Sequence, residues 1–327
     1  MSERLKHTCQ SLDTLRSELA KVFVGQKEAV EQILVALLAG GHALLTGVPG
    51  LGKTKLVKSL SQLLGLSFRR IQFTPDLMPA DILGGEILEE DPESGRRRFR
   101  FLEGPVFSQF VLADEINRTP PKTQAALLEA MGERQVTSGG ATRPLPVPFF
   151  VLATQNPLEL EGTYPLPEAQ LDRFLLEVVM EYLSPEDELR MVAETTGAEE
   201  VTLAPVLSAE ALQEMQGLCR EIVASQSIIE EAVWLCEATR PQSSHVLPRF
   251  KEYGKWGAGS RGVQSLVMAG KARALLGGRG NVSHEDLMAL LKPVLRHRLI
   301  LNYHAAAAGV TADSLLEELA KAAERFL

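Results

Sequence analysis

The 327-residue sequence predicts an α/β core with a five-stranded parallel sheet, followed by a second domain made of helices. Two observations favour the core. Short apolar runs alternate with helical patterns, and a glycine-rich segment joins the first apolar run to the helix after it. The second domain is indicated by a change of pattern, because we predict only helices after Met180. We therefore expect a domain boundary at about Leu183, with the core at residues 1–183 and the helical domain at residues 184–327.

Amphipathic helices at Leu5–Val22 and Lys27–Leu38 precede the sheet, with a break at Val24-Gly25-Gln26. The predicted strands are apolar runs short enough to be buried in a parallel sheet. They are Ala43–Thr46, Phe68–Phe73, Phe110–Ala113, Phe149–Ala153 and Phe174–Met180, with helices near Lys53–Leu64, Pro121–Met131 and Glu168–Leu171 between them.

Two insertions have the pattern of surface hairpins. Leu83–Gly104 carries an acidic arm and then a basic arm on either side of a turn at Pro92–Gly95, which places opposite charges across from each other. The second insertion, Arg134–Pro148, turns at Ser138-Gly139-Gly140. The first hairpin has two equally good interpretations: a functional element that lines a central pore or grips a partner protein, or a solvated hairpin held by its own ion pairs.

The second domain is predicted from helical spacing and from helix-start signals at Ser184 and Ser283, each followed three residues later by an aspartate. Its predicted helices are Glu186–Glu194, Ala209–Ala224, Ile228–Thr239, Arg261–Leu276 and Glu285–Arg296.

Composition narrows the range of functions. The net charge is −8 and the pI about 5.4, so nucleic acid is a poor expectation as a partner. We expect no membrane span, because the most apolar stretch, Ile33–Val48, is too short and is broken by Gly40-Gly41-His42. The three cysteines are far apart, and the first residues lack a signal-peptide core. A cytoplasmic location is therefore expected.

A phosphate-binding loop is the strongest motif. The residues Gly47, Val48, Pro49, Gly50, Leu51, Gly52, Lys53 and Thr54 fit Gly-x-x-x-x-Gly-Lys-[Ser/Thr] between a predicted strand and a predicted helix. Backbone N–H groups of such a loop converge on a phosphate, Lys53 reaches the β- and γ-phosphates, and the Thr54 hydroxyl binds Mg²⁺. An ordinary glycine-rich turn is the alternative, but the flanking strand and helix disfavour it.

Polar residues end two other predicted strands. Asp114 and Glu115 follow one strand, so we expect Asp114 to hold Mg²⁺ and Glu115 to polarise an attacking water. Asn156 follows another strand and is placed to hydrogen-bond the water or the γ-phosphate. The alternatives are a strand that runs into a solvated turn, and an asparagine that caps the turn before Pro157.

With these motifs assembled, the chain resembles the AAA+ ATPases, and specifically their MoxR branch, over essentially its whole length. The residues that carry the resemblance are Asp114–Arg118, Leu127–Met131, Thr154–Pro157, Glu161–Phe174 and Val294–Arg298.

The resemblance implies further site residues. Asn156 would be the sensor of the γ-phosphate, and Arg173 the arginine finger that enters the site of the adjacent subunit. The alternative for Arg173 is a surface ion pair with Asp172. Arg261 resembles the lid arginine that touches the nucleotide, although Gly259-Ser260-Arg261 stands where the family has Ser-Pro-Arg. Val24 and Gly25 resemble the segment that contacts the adenine.

The resemblance also implies an activity and partners: hydrolysis of Mg-ATP in a homo-oligomeric ring of six subunits, with chaperone-like remodelling or maturation of a client, including a von Willebrand factor A domain protein. A metal-chelatase motor subunit and a nucleic-acid motor are the alternatives. A scaffold that binds nucleotide without hydrolysing it is disfavoured, because Lys53, Asp114, Glu115, Asn156 and Arg173 occur together.

Overall fold

The computed structural model describes residues 2–48, 50–90, 97–157, 162–195 and 202–324. Up to Met180, each predicted strand and helix forms, with its ends within a few residues of the predicted bounds. They are α1 Ser2–Ala20, α2 Lys27–Leu38, β1 Ala43–Gly47, α3 Lys53–Leu63, β2 Phe68–Gln72, α4 Pro79–Leu83, β3 Gly84–Glu90, β4 Arg97–Glu103, β5 Phe110–Asp114, α5 Pro121–Glu133, β6 Gln135–Ser138, β7 Ala141–Pro144, β8 Phe150–Gln155, α6 Glu168–Leu171 and β9 Leu176–Met180.

Within the described residues, β1, β2, β5, β8 and β9 form a parallel sheet in the order β2-β5-β8-β1-β9. All of β5 is buried. The ring of Phe110 of β5 packs edge to face against the ring of Phe150 of β8, with 5.1 Å between the ring centroids. Apolar clusters cover both faces of the sheet, which is why its strands read as continuous hydrophobic runs. The carboxyl ends of β5, β8 and β1 lie side by side at one edge of the sheet, where ligands of such sheets bind.

The described part of the chain after Met180 is mostly helical and is called the lid. Its elements are α7 Pro185–Thr195, α8 Ala209–Glu221, α9 Gln226–Glu237, α10 Pro248–Tyr253, β10 Gly254–Trp256, α11 Ser260–Leu276, α12 His284–Leu295, β11 Ile300–Leu301, α13 Tyr303–Ala307 and α14 Ala312–Ala323. The predicted fold class, a parallel α/β core with a helical lid, is confirmed.

Some details differ from the sequence expectation. The lid is not made of helices only, because β10 and β11 pair in a short antiparallel ribbon. Helices α4, α10, α13 and α14 were not predicted. The predicted boundary at Leu183 lies between β9 and α7 and stays a prediction.

Both predicted hairpins form. Strands β3 and β4 pair antiparallel and set Glu89 opposite Arg98 and Glu90 opposite Arg97, although the predicted turn at Pro92–Gly95 lies outside the described residues. In the second hairpin, β6 and β7 turn through Gly139 and Gly140, whose φ angles of 60° and 75° explain why glycine occupies both positions. In the described part of the chain, no helix is both long and apolar enough to cross a bilayer.

His42, just before β1, connects the sheet to α5. Its Nδ1 accepts a hydrogen bond from the Val151 N–H at 3.0 Å, and its Nε2 lies 3.4 Å from the Met131 carbonyl oxygen. Burial is the main cause that lowers the pKa of His42 to about 4 from 6.5. The folded protein therefore holds His42 neutral.

We expect the free energy of unfolding to fall as the pH is lowered from 6.5 towards 4. In this window the unfolded chain binds a proton at His42 that the folded chain excludes, so His42 alone accounts for a loss of about 2 kcal/mol at pH 5. Urea unfolding at several pH values measures it. His42→Gln should flatten the slope, whereas the exposed His7→Gln should keep it; equal slopes in all three proteins would contradict the assignment.

Candidate active site

The predicted phosphate loop lies between β1 and α3. Gly47 ends the strand, and Gly52 precedes the first residue of the helix, Lys53. Gly50 and Gly52 have φ angles of 88° and 76°, which only glycine adopts readily. The loop thus delivers the free N–H groups of the first turn of α3 to the carboxyl edge of the sheet.

A cavity of about 380 Å³ opens at this edge. Its walls come from the loop after β1 and from the ends of β5 and β8, which are neighbours in the sheet. The lining residues are Gly50, Gly52, Lys53, Thr54, Lys55, Asp114, Glu115, Thr154, Gln155 and Asn156. The structure therefore brings the predicted lysine, threonine, carboxylates and asparagine into one site. Gly47, Val48 and Leu51 belong to the same loop, and Pro49 lies outside the described residues.

Lys53 is folded towards the loop. Its Nζ donates hydrogen bonds to the carbonyl oxygens of Gly47 and Gln155. Burial lowers the pKa of Lys53, while the nearby carboxylates of Asp114 and Glu115 oppose that shift. These contacts place the ammonium group inside the cavity, where it is within the field of both acids.

Asp114, the last residue of β5, is buried and held on both oxygens. Its Oδ1 accepts a hydrogen bond from the Thr154 hydroxyl at 2.6 Å. Its Oδ2 accepts two from Arg70 of β2, from Nε at 3.0 Å and Nη2 at 2.6 Å. Sequence reasoning missed Arg70.

Asp114 and Thr54 fit a magnesium site. A carboxylate and a hydroxyl in one open polar cavity are ligands that Mg²⁺ accepts while it keeps several waters. Both residues would hold the ion, which neutralises phosphate charge when it is bound.

Glu115 has a left-handed backbone, with φ 59° and ψ 49°, which a residue with a Cβ adopts only at some cost. Its N–H donates to the Thr154 hydroxyl oxygen at 2.9 Å. Its Oε2 accepts from Gln72 Nε2 at 2.9 Å and lies 3.1 Å from Arg118 Nε. These contacts hold the Glu115 carboxylate in place between Gln72 and Arg118.

Asn156 directly follows β8 and is buried, with 6% of its surface exposed. Its place in the cavity lining puts it across from the phosphate loop, on the strand between β5 and β1.

The two predicted arginines occupy a different part of the structure. Among the described residues, neither Arg173 nor Arg261 lines this cavity. Arg173 is half-buried in the turn after α6, and its Nη1 donates to the Leu128 carbonyl oxygen of α5. Arg261 is exposed in the first turn of α11, with its Nη1 3.9 Å from Asp172 Oδ2. Arg173 is thus held by α5 and does not line the phosphate cavity of its own chain.

Val24 and Gly25 line a second cavity, of about 310 Å³, formed by α1, the start of α2 and Arg190 of α7. This cavity adjoins the phosphate loop, because a side chain added at Gly52 would meet the Phe23 ring at 3.2 Å. Its apolar walls suit a flat heterocycle next to the phosphate site.

Comparison with known proteins identifies the family of the chain. The profile of the "ATPase family associated with various cellular activities (AAA)" matches residues 42–176, and an AAA lid domain profile matches residues 248–319. Chaperone MoxR1 of Mycobacterium tuberculosis is 40% identical over 97% of this chain and 83% of its own length. The chain belongs to the MoxR family of AAA+ ATPases. A further MoxR relative, Protein MoxR of Methylorubrum extorquens, is 34% identical over 87% of this chain and 86% of its own.

The solved structures extend the MoxR comparison to the fold. A crystal structure of a candidate ATPase from Cytophaga hutchinsonii is 40% identical and superposes with a TM-score of 0.90. It covers 98% of this chain and 96% of the other. Core and lid of this MoxR protein therefore share one architecture with that ATPase.

Sequence reasoning missed several MoxR site residues that lie beside the predicted ones. Arg70 and Gln72 alternate with a buried isoleucine on β2, so their side chains share one face of the strand. The sequence signal that could have identified them is two polar residues, separated by one apolar residue, at the carboxyl end of a predicted strand. Thr154 hydrogen-bonds both Asp114 and the Glu115 N–H. It belongs to the motif Thr154–Pro157, but the sequence predicted no role for it.

Proposed function

We propose that this MoxR protein is a magnesium-dependent ATPase that acts as a ring of six subunits and remodels client proteins. The observation that carries the proposal is the cavity at the sheet edge. It collects Lys53 and Thr54 from the start of α3, and Asp114, Glu115 and Asn156 from the ends of the adjacent strands β5 and β8, while Arg173 lies outside it.

Each of these five cavity residues has a role in binding or hydrolysis. The phosphate loop and Lys53 bind the β- and γ-phosphates, and Thr54 and Asp114 hold Mg²⁺. Glu115 accepts hydrogen bonds that fix its carboxylate, so it can orient and polarise the attacking water. Asn156 hydrogen-bonds the γ-phosphate or this water.

Arg173 completes the site of the adjacent subunit. Its side chain is directed by the Leu128 carbonyl and not by its own phosphate loop, which supports action across an interface. Arg261 reports the nucleotide to the lid, and Val24 and Gly25 contact the adenine from the second cavity. A site shared by two subunits makes hydrolysis depend on assembly.

Client remodelling is supported by the name Chaperone MoxR1 of the 40% identical relative. The hairpin of β3 and β4 offers a contact surface, because Leu88, Phe99 and Leu102 expose 55%, 73% and 55% of their surfaces. A von Willebrand factor A domain protein is the client we propose to test first. The unpaired Cys9, Cys219 and Cys236 suit a reducing compartment, so we place the protein in the cytoplasm.

The arginines of this hairpin do not favour a nucleic-acid motor. Arg97 pairs with Glu90, and Arg98 and Arg100 pair with Glu89. All three guanidinium groups therefore already pair with carboxylates within the hairpin. A chelatase motor subunit uses a similar core, and a metal-insertion assay with candidate partner subunits separates it from a protein chaperone.

The Glu115→Gln chain tests client remodelling. Because it should bind ATP without hydrolysing it, we expect it to retain a client in the presence of Mg-ATP and to release it with ADP. The measurement is affinity capture followed by a proteolysis assay of the captured protein with wild-type enzyme. Lys53→Ala, which should not bind ATP, is the control. Equal capture of the client by both variants would refute remodelling. So would a captured client whose sensitivity to protease does not change when ATP is added.

A further inference from the structure

Arg298 of the lid lies buried at the junction with the core, in a 3₁₀ turn after α12. Only 2% of its side chain is exposed. Its guanidinium donates to Asp172 Oδ1 at 2.7 Å, to the Phe174 and Leu175 carbonyl oxygens at 2.7 and 3.2 Å, and to the Ser265 hydroxyl at 3.1 Å. One lid side chain thus binds the core segment between α6 and β9 at several points.

Arg173 lies within the segment that Arg298 holds. Its neighbours on both sides, Asp172 and Phe174, accept hydrogen bonds from the same guanidinium. The Arg173 side chain is in turn directed by the Leu128 carbonyl oxygen. The backbone of the finger is therefore fixed by the lid, and its side chain by α5.

Asp172 supplies the charge that makes this arrangement stable. A buried guanidinium is costly unless an acid compensates it, and Asp172 is its acidic partner at 2.7 Å. The second oxygen of Asp172 lies 3.9 Å from Arg261 Nη1, so both arginines that face it belong to the lid. A shift of the lid relative to the core would be transmitted through this carboxylate to Arg173.

We propose that Asp172 is a positioning residue for the reaction of the adjacent subunit. Paired with Arg298, it holds Arg173 in the place from which the finger reaches the neighbouring site, and it links that place to the position of the lid. This inference rests on the proposed role of Arg173 in trans. If the ion pair were only structural, Asp172→Asn would lower the free energy of unfolding. The loss of activity would then not depend on which of two neighbouring subunits carries the substitution.

Asp172→Asn removes the charge but keeps the size of the side chain. Because small misplacements of a catalytic group cost about 10²-fold in rate, we expect kcat to fall between about 10- and 100-fold. The Kd for ATP should stay within about twofold, because Asp172 lies outside the cavity lining. Asp313→Asn is the matched control. It breaks the bidentate pair with Arg296, two residues from Arg298, without touching residues 172–175, and should keep kcat.

Mixed assemblies give the decisive readout. Asp172→Asn chains have an intact phosphate site and a displaced finger, so mixing them with Glu115→Gln chains should restore hydrolysis. Mixing them with Arg173→Ala chains should restore none, because neither chain supplies a working finger. Restoration by Arg173→Ala, or an unchanged kcat of Asp172→Asn alone, would overturn the inference.

One further variant and one control mixture keep the experiment interpretable. If Asp172→Asn fails to fold, Asp172→Asn with Arg298→Gln removes both charges and should show the same mixing pattern. If Arg173→Ala itself is not restored by Glu115→Gln, the proposed action in trans fails. If it is restored while the Asp172 variants keep full activity, only the positioning role of Asp172 fails.

Discussion

Replacing Arg173 with alanine is expected to lower ATP turnover by about 10³–10⁵-fold while ATP still binds, as for arginine fingers supplied in trans. The guanidinium neutralises charge that develops in the transition state, and in this structure it lies outside the phosphate cavity of its own chain. Phosphate release at saturating ATP measures kcat, and calorimetry measures the Kd for ATP.

The exposed Arg220 of α8 provides the control, because Arg220→Ala removes an equal charge away from the site. Mixing Arg173→Ala with Glu115→Gln chains should restore part of the activity at hybrid interfaces. Full activity of Arg173→Ala alone would contradict the finger assignment. Loss of ATP binding together with activity would indicate a role in nucleotide affinity instead.

Replacing Glu115 with glutamine is expected to lower kcat by about 10²–10⁴-fold, the range for loss of a positioned acid–base group. The amide oxygen can still accept the hydrogen bond from Gln72, so the local geometry should persist while the charge that polarises water is lost. Single-turnover hydrolysis and a separate ATP-binding measurement distinguish these effects.

Glu214→Gln, an exposed substitution on α8, should leave both quantities unchanged. A Glu115→Gln chain that hydrolyses ATP at the normal rate would show that another group activates the water. A chain that no longer binds ATP would show that Glu115 supports the metal-nucleotide complex itself.

The strands of the core could be predicted because each is a local pattern. A buried parallel strand needs an apolar run on both faces, and Phe110–Ala113 differs by one residue from the strand Phe110–Asp114. The order β2-β5-β8-β1-β9 could not be predicted in this way, since apolar runs do not specify which strand lies next to which.

The lid was predicted less completely. Its longer helices have helical spacing and start signals, and the box at Ser283 forms with Asp286 as expected. Strands β10 and β11 have too few residues to show a recognisable period in the sequence. They are also far apart along the chain, so no local pattern indicates that they pair. Helix α14 has a buried apolar face, with Leu315, Leu316 and Leu319 fully covered, but its pattern was not recognised.

By itself, the sequence determined the parallel α/β core, the mainly helical lid, and the lysine, threonine, two carboxylates and asparagine that meet at the cavity, because a phosphate loop and strand ends are short, contiguous patterns. Only the tertiary structure decided that Arg70 holds Asp114, 44 residues away, and that Arg298 holds Asp172 across 126 residues. Such pairs form between segments that folding brings together, and the charge that compensates a buried arginine leaves no local pattern in the chain.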